Sequence, residues 1–132
     1  MKNFVKYQLP PLLWIVFIYV LSSIPKLQEG FHIPLGSDKI IHAAMFFVLC
    51  LLVRRAFMHQ GYVSLLRAHA LLGALIFAVV YGMLDEYHQQ FTPGRTPDFY
   101  DVVADAGGAL LYVGIFWLTR GAKEKEESSQ AG

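Results

Sequence analysis

Hydrophobic residues fall in four long blocks separated by short polar stretches, and within each block they occupy every helical face. Soluble helices interleave polar positions at a period of 3.6, so blocks that are apolar all round point to membrane-spanning helices. The first block runs from Leu9 to Ile24, with Pro10 and Pro11 at its start and Pro25 closing it. Proline suits the first helical positions, where a missing N–H costs least. The second block reads from Asp38 to Phe57, the third from Ala68 to Gln89 and the fourth from Pro97 to Thr119, with Pro93-Gly94 between the last two. A bilayer span takes roughly twenty residues. The second block reaches that length by including Asp38 and by letting Arg54 and Arg55 extend their charged heads to water.

The pattern predicts an all-α polytopic membrane protein, four transmembrane helices in one compact bundle over residues 1–120. A charged cytoplasmic tail over residues 121–132 is expected to be disordered. The first block has the length and basic start of a signal-peptide core, but LSSIPKLQEG is a weak cleavage site and three more blocks follow. It is read as a retained first helix. The single cysteine, Cys50, lies inside an apolar block, which excludes an intramolecular disulfide and a paired-thiol metal site. It reads as a small core residue.

The net charge of +1 says little, but its distribution along the chain is informative. Lys2, Lys6, Arg54, Arg55, Arg67, Arg120, Lys123 and Lys125 fall on one side of a four-span topology, and only Lys26, Lys39 and Arg95 on the other. The positive-inside rule then makes both termini cytoplasmic and turns the first and third loops outward.

That topology brings two polar clusters to one membrane face. Ser37, Asp38, Lys39 and His42 open the second helix, and the stretch from Asp85 to Gly108 holds five of the ten acidic residues. Asp38 and His42 are four apart and share a face. Gly82, Glu86 and Gln89 form one stripe of the third helix, and Asp98, Asp101, Asp105, Gly108 and Tyr112 form one stripe of the fourth. A polar group inside an apolar helix is costly unless partnered, which makes Asp105 a default functional candidate. Structural readings stand beside the functional ones. Ser37 can cap the second helix with Asp38 in its first turn, and Asp98 can cap the fourth. Asp85 and His88 can be interfacial side chains without a task. Arg95 can neutralise part of the carboxylate charge. No HExxH, His pair or Cys pair supports a transition-metal site, and no Ser or Cys sits in a nucleophile elbow. Acid–base chemistry by His42 with Glu86 or Asp105 remains open.

The ordered set S-D-K-x-x-H at Ser37–His42, D-E-x-x-Q-x-F-x-P-G-R-T at Asp85–Thr96 and D-x-x-x-D-x-x-G at Asp101–Gly108 resembles the VanZ-like membrane protein family. The match covers about Leu9 to Thr119, and the family pattern usually has Asn where this chain has Asp105. The resemblance implies the cytoplasmic (inner) membrane of a bacterium and a cell-envelope role, with a link to teicoplanin resistance through the family's named member. The expected partners are membrane lipids and a lipid-linked cell-wall precursor, with no nucleic acid, no metal and no cofactor. The expected site is an outward polar pocket that binds or modifies an envelope lipid. In it Asp38, Lys39, Gln89, Arg95 and Asp101 are ligand-binding, with Lys39 and Arg95 meeting anionic groups, and His42, Glu86 and Asp105 are the catalytic candidates. The alternatives are a membrane-embedded hydrolase or transferase using His42 with Glu86 or Asp105, and a non-catalytic structural or accessory protein.

Overall fold

A computed structural model describes residues 2–25 and 37–130, with side chains for residues 2–25 and 38–122. Helix α1 covers Phe4–Ser22, α2 Ser37–His59, α3 Ser64–Ala68, α4 Ala70–Gln89 and α5 Phe99–Gln130. Four of them are long and apolar enough to cross a membrane, namely α1, α2, α4 and the Phe99–Ala122 part of α5. The first loop, with Lys26 and Gly30, lies outside the described residues, as do the side chains of Ser37 and of the tail.

The helix ends differ from the sequence expectation for local reasons. α1 begins at Phe4 rather than Leu9, because its first turn, Phe4–Gln8, is wound as a π-helix in which the Leu9 N–H reaches the Phe4 carbonyl. Pro10 and Pro11 cannot donate to the carbonyls four residues back, and a wider turn accommodates the missing donors. The third block divides at His69, whose backbone (φ −110, ψ 33) leaves the helical region and separates the short α3 from α4. α5 starts two residues after Pro97, since Asp98 is its cap: Oδ1 accepts from the Tyr100 N–H at 2.9 Å and the carbonyl from the Asp101 N–H at 2.8 Å. The helix also runs past Thr119 to Gln130, through an AKEKEE stretch rich in strong helix formers. Between α4 and α5 the chain reverses over Thr92-Pro93-Gly94-Arg95, closed by Arg95 N–H to Thr92 O at 3.2 Å. Gly94 has φ 75 there, which the third residue of a type II turn requires.

α2 lies against both α4 and α5, and α1 packs on the outside of the α2–α4 pair. In lipid no hydrophobic force draws helices together, so close packing of small side chains must supply the association. α4 presents Ala70, Ala74, Ala78 and Gly82 inward at every fourth residue. The core they face contains Phe46, Leu49, Cys50 and Val53 of α2 and Ala109 and Tyr112 of α5. The tightest crossing joins α2 and α5: a Cβ on Gly108 would stand 1.9 Å from the Ala43 carbonyl oxygen, so only glycine fits. Large apolar side chains such as Leu13, Ile76 and Leu111 point away from the bundle, as a lipid-facing surface requires. Polar atoms on α1 and α4 are tied inward: Gln8 Nε2 donates to Ala56 O at 3.0 Å, Trp14 Nε1 to Met45 O at 3.0 Å and Tyr81 Oη to Ile15 O at 2.9 Å.

Candidate functional site

The Gly108–Ala43 crossing sets the geometry of the polar cluster. It holds the N-terminal halves of α2 and α5 together, so His42, beside Ala43, meets Asp105, one turn before Gly108. His42 Nδ1 and Asp105 Oδ1 are 2.9 Å apart. His42 Nε2 lies 3.8 Å from Asp101 Oδ2. Above them Lys39 Nζ donates to Asp98 Oδ2 at 2.5 Å and to Asp101, and stands 3.7 Å from Asp38. Glu86 enters from α4, where its Oε2 accepts the Asp98 N–H at 2.9 Å and so ties α4 to the start of α5.

The cluster is graded from exposed to buried, a funnel in the sense of that gradient of exposure. Side-chain exposure falls from 46% at Asp38 and 42% at Asp98, through 19% at His42 and 14% at Asp101, to 1% at Asp105. At its floor Asp105 Oδ2 packs against Gly82, where a Cβ would come within 2.9 Å of that oxygen. Asp105 Oδ2 and Glu86 Oε1 are buried without a hydrogen-bond partner. A buried, unpaired carboxylate oxygen is costly, and in a folded protein it calls for an explanation. Five carboxylates surround one ammonium and one imidazole, so the unmet demand is for hydrogen-bond donors. Among the described residues no group of three or more His, Cys, Asp or Glu is placed to hold a metal ion, and the Lys39 ammonium occupies the space between Asp98 and Asp101. Beside the funnel, Glu86, Gln90 and Asp98 are the polar side chains of a cavity of about 390 Å³ whose other lining includes Met83, Tyr87, Phe99 and Val102. Met83, Tyr87 and Phe99 are exposed, so this cavity opens sideways between α4 and α5.

Asp85 and Gln89 face the other way, toward α1. Ser22 Oγ donates to Asp85 Oδ1 at 2.7 Å, and Gln89 Nε2 donates to Asp85 Oδ2 at 3.1 Å. Arg95 completes this second cluster. Its guanidinium donates to Gln89 Oε1 at 3.2 Å and to two carbonyls at the end of α1, Leu21 at 2.9 Å and Ile24 at 3.1 Å. Both carbonyls lie at the C-terminal end of α1, which carries the negative end of the helix dipole, so a cation there is favoured. His88 joins from the side, with Nε2 3.0 Å from Ser23 Oγ and its ring on Tyr19.

Of the residues singled out from the sequence, Asp38, Lys39, His42, Glu86, Asp101 and Asp105 therefore meet in the funnel, and Gln89 and Arg95 meet in the clasp on α1. Arg95 does not sit among the funnel carboxylates. Asp85, which can look like an idle interfacial residue, is buried and doubly bonded. Ser22 escaped notice in the sequence, although a Ser-Ser pair closing an apolar helix was a signal that a polar partner lay nearby. Tyr112 shares the α5 stripe, but its hydroxyl receives Arg54 at 3.3 Å, away from the funnel.

Four apolar spans with buried carboxylates at one end define a polytopic helical membrane protein. The VanZ/LLP1 family model matches residues 2–120, and the chain belongs to that family. No curated protein and no solved structure matches the chain.

Proposed function

We propose that the funnel is a site for the head group of an envelope lipid or a lipid-linked cell-wall precursor in a bacterial inner membrane, and that His42 moves a proton on that group. The observation that carries this reading is the His42–Asp105 pair beside two buried carboxylate oxygens without donors. Asp105 holds Nδ1 and so orients the ring, leaving Nε2 toward Asp101 and the mouth of the funnel. A carboxylate-oriented imidazole is the arrangement general acid–base chemistry uses. This favours hydrolysis or group transfer over passive binding.

The donor demand narrows the ligand. A head-group hydroxyl or amine would satisfy Glu86 Oε1, whereas a bare anion would meet five carboxylates. Lys39 and Arg95, candidates for anion binding, act in this proposal as internal supports: Lys39 holds Asp98 and Asp101, and Arg95 clamps α1. Asp38 and Asp101 form the mouth, and Gln89 keeps Asp85 and Arg95 in register. The cavity between α4 and α5 gives a lipid-borne group a lateral way to Glu86 and Asp98. With both termini cytoplasmic, the funnel faces outward, where lipid-linked wall precursors and teicoplanin meet.

The test is complementation of a deletion strain, scored for teicoplanin susceptibility and for other envelope defects. His42→Gln keeps a hydrogen-bonding group toward Asp105 but cannot shuttle a proton. It is expected to reach wild-type membrane abundance and fail to complement. Complementation in proportion to folded protein would make the cluster structural and overturn the proposal.

A further inference from the structure

At the opposite end of the bundle, a cavity of about 560 Å³ lies between α4 and α5, closed by α3 and the end of α2. Arg54, Arg67 and Arg120 line it together with Leu72, Phe116 and Trp117, and among the described residues no Asp or Glu lines it. Leu72 and Trp117 are more than half exposed, so its apolar wall is continuous with the lipid-facing surface. The Arg54 guanidinium is fixed in place: it lies 4.0 Å over the Phe116 ring and donates one N–H to Tyr112 Oη at 3.3 Å. Among the described residues, neither Arg54 nor Arg67 has a carboxylate partner. All five carboxylates of the funnel lie at the far end of the same helices. A groove that is basic at its rim, apolar along its wall and aromatic at the interface matches a lipid with an anionic head and an acyl chain.

We propose that this groove is a binding site for one anionic phospholipid, with its phosphate on Arg54 and Arg67 and an acyl chain along Leu72, Phe116 and Trp117. The site is separate from the funnel and does not rest on the function proposed for it. Basic residues that merely follow the positive-inside rule need not converge on a cavity. Here Arg54 and Arg67 share one with exposed apolar side chains, and among the described residues no acid pairs with either.

Trp117 reports on the site directly. The full chain is reconstituted in phosphatidylcholine vesicles containing a fixed fraction of brominated phosphatidylglycerol or, in parallel, brominated phosphatidylcholine. Trp14 is the only other tryptophan, so the difference between wild type and Trp117→Phe isolates the Trp117 signal and leaves the Trp14 bond to Met45 intact. Brominated phosphatidylglycerol is expected to quench Trp117 more strongly than its zwitterionic counterpart. Each arginine near a membrane surface is worth about fivefold in affinity for acidic lipid, so Arg67→Gln should lower that preference by about that factor. Arg67 is exposed, and the variant's fold is checked by circular dichroism. Equal quenching by the two lipids, as a second copy of the chain filling the groove would give, overturns the proposal. A preference unchanged in Arg67→Gln does the same.

Discussion

Gly108→Ala perturbs the contact on which the funnel depends. The added Cβ would lie 1.9 Å from the Ala43 carbonyl oxygen and 2.7 Å from its Cα, both backbone atoms that cannot rotate away. Non-bonded heavy atoms sit best at ~3.5 Å, so α2 and α5 must part by ~1.5 Å at this crossing. The His42–Asp105 bond is 2.9 Å long and lies within a turn of the contact. A separation of that size takes it beyond hydrogen-bond range. Overpacking costs ~1–3 kcal/mol, and stranding two polar groups adds ~1–3 kcal/mol. Gly107→Ala is the control: it sits next in sequence, has nothing within 4 Å, and gains ~1 kcal/mol of helix propensity. The assay is denaturant unfolding of both purified variants in one detergent, with the His42 ring nitrogens followed by NMR. Gly108→Ala should lose several kcal/mol and shift the ring signals, and Gly107→Ala should do neither. Equal stability of the two variants would refute the close approach of α2 and α5.

Other perturbations separate the clusters. Asp105→Asn keeps an oxygen for His42 and puts an NH2 where Oδ2 has no partner; unfolding should show stability within ~1 kcal/mol of wild type, whereas Asp105→Leu should lose ~1–3 kcal/mol. Lys39→Met leaves Asp98 and Asp101 uncompensated at a half-exposed site and should destabilise by ~1–3 kcal/mol, with Lys39→Arg recovering part of it in the same assay. Ser22→Ala and Arg95→Ala each release the end of α1 without touching the funnel, so hydrogen exchange should rise at Leu21–Ile24 while the His42 ring signals stay in place. For topology, Thr96→Cys should react with an impermeant thiol reagent in intact cells, in a Cys50→Ala background, and Gly61→Cys should not; Gly94 is unsuitable because its φ of 75 demands glycine.

The four spans were readable because apolar blocks of membrane length admit few alternatives, and Asp105 stood out because a carboxylate inside such a block has a high cost. The α5 stripe was readable too: Asp101, Asp105, Gly108 and Tyr112 turn toward the bundle, with Asp98 capping the helix. The α4 stripe of Gly82, Glu86 and Gln89 instead divides, Gln89 turning to Asp85 and Arg95. What the period could not give was the angular offset between helices. Asp85 and Glu86 are neighbours in sequence, yet one faces α1 and the other α5. The same limit hid the position of Arg95, whose partners are carbonyls about seventy residues away at the end of α1. Carbonyl acceptors leave no mark in the side-chain pattern. The π-turn at Phe4–Gln8 had a visible cause in Pro10 and Pro11, but proline there is equally compatible with a simple helix start.

Glu86→Gln separates a funnel that carries out chemistry or binding from one that only locks helices together. Glutamine keeps the shape and can keep an oxygen acceptor for the Asp98 N–H, which holds α4 to α5. It changes the buried oxygen that has no partner, Glu86 Oε1, to an NH2 group. Folding therefore has little to lose, while a ligand donor loses its acceptor. Measured together, membrane abundance and melting temperature should match wild type, and rescue of the deletion strain's envelope phenotype should be lost. Full rescue by Glu86→Gln at wild-type abundance would leave the funnel with no role beyond joining the helices.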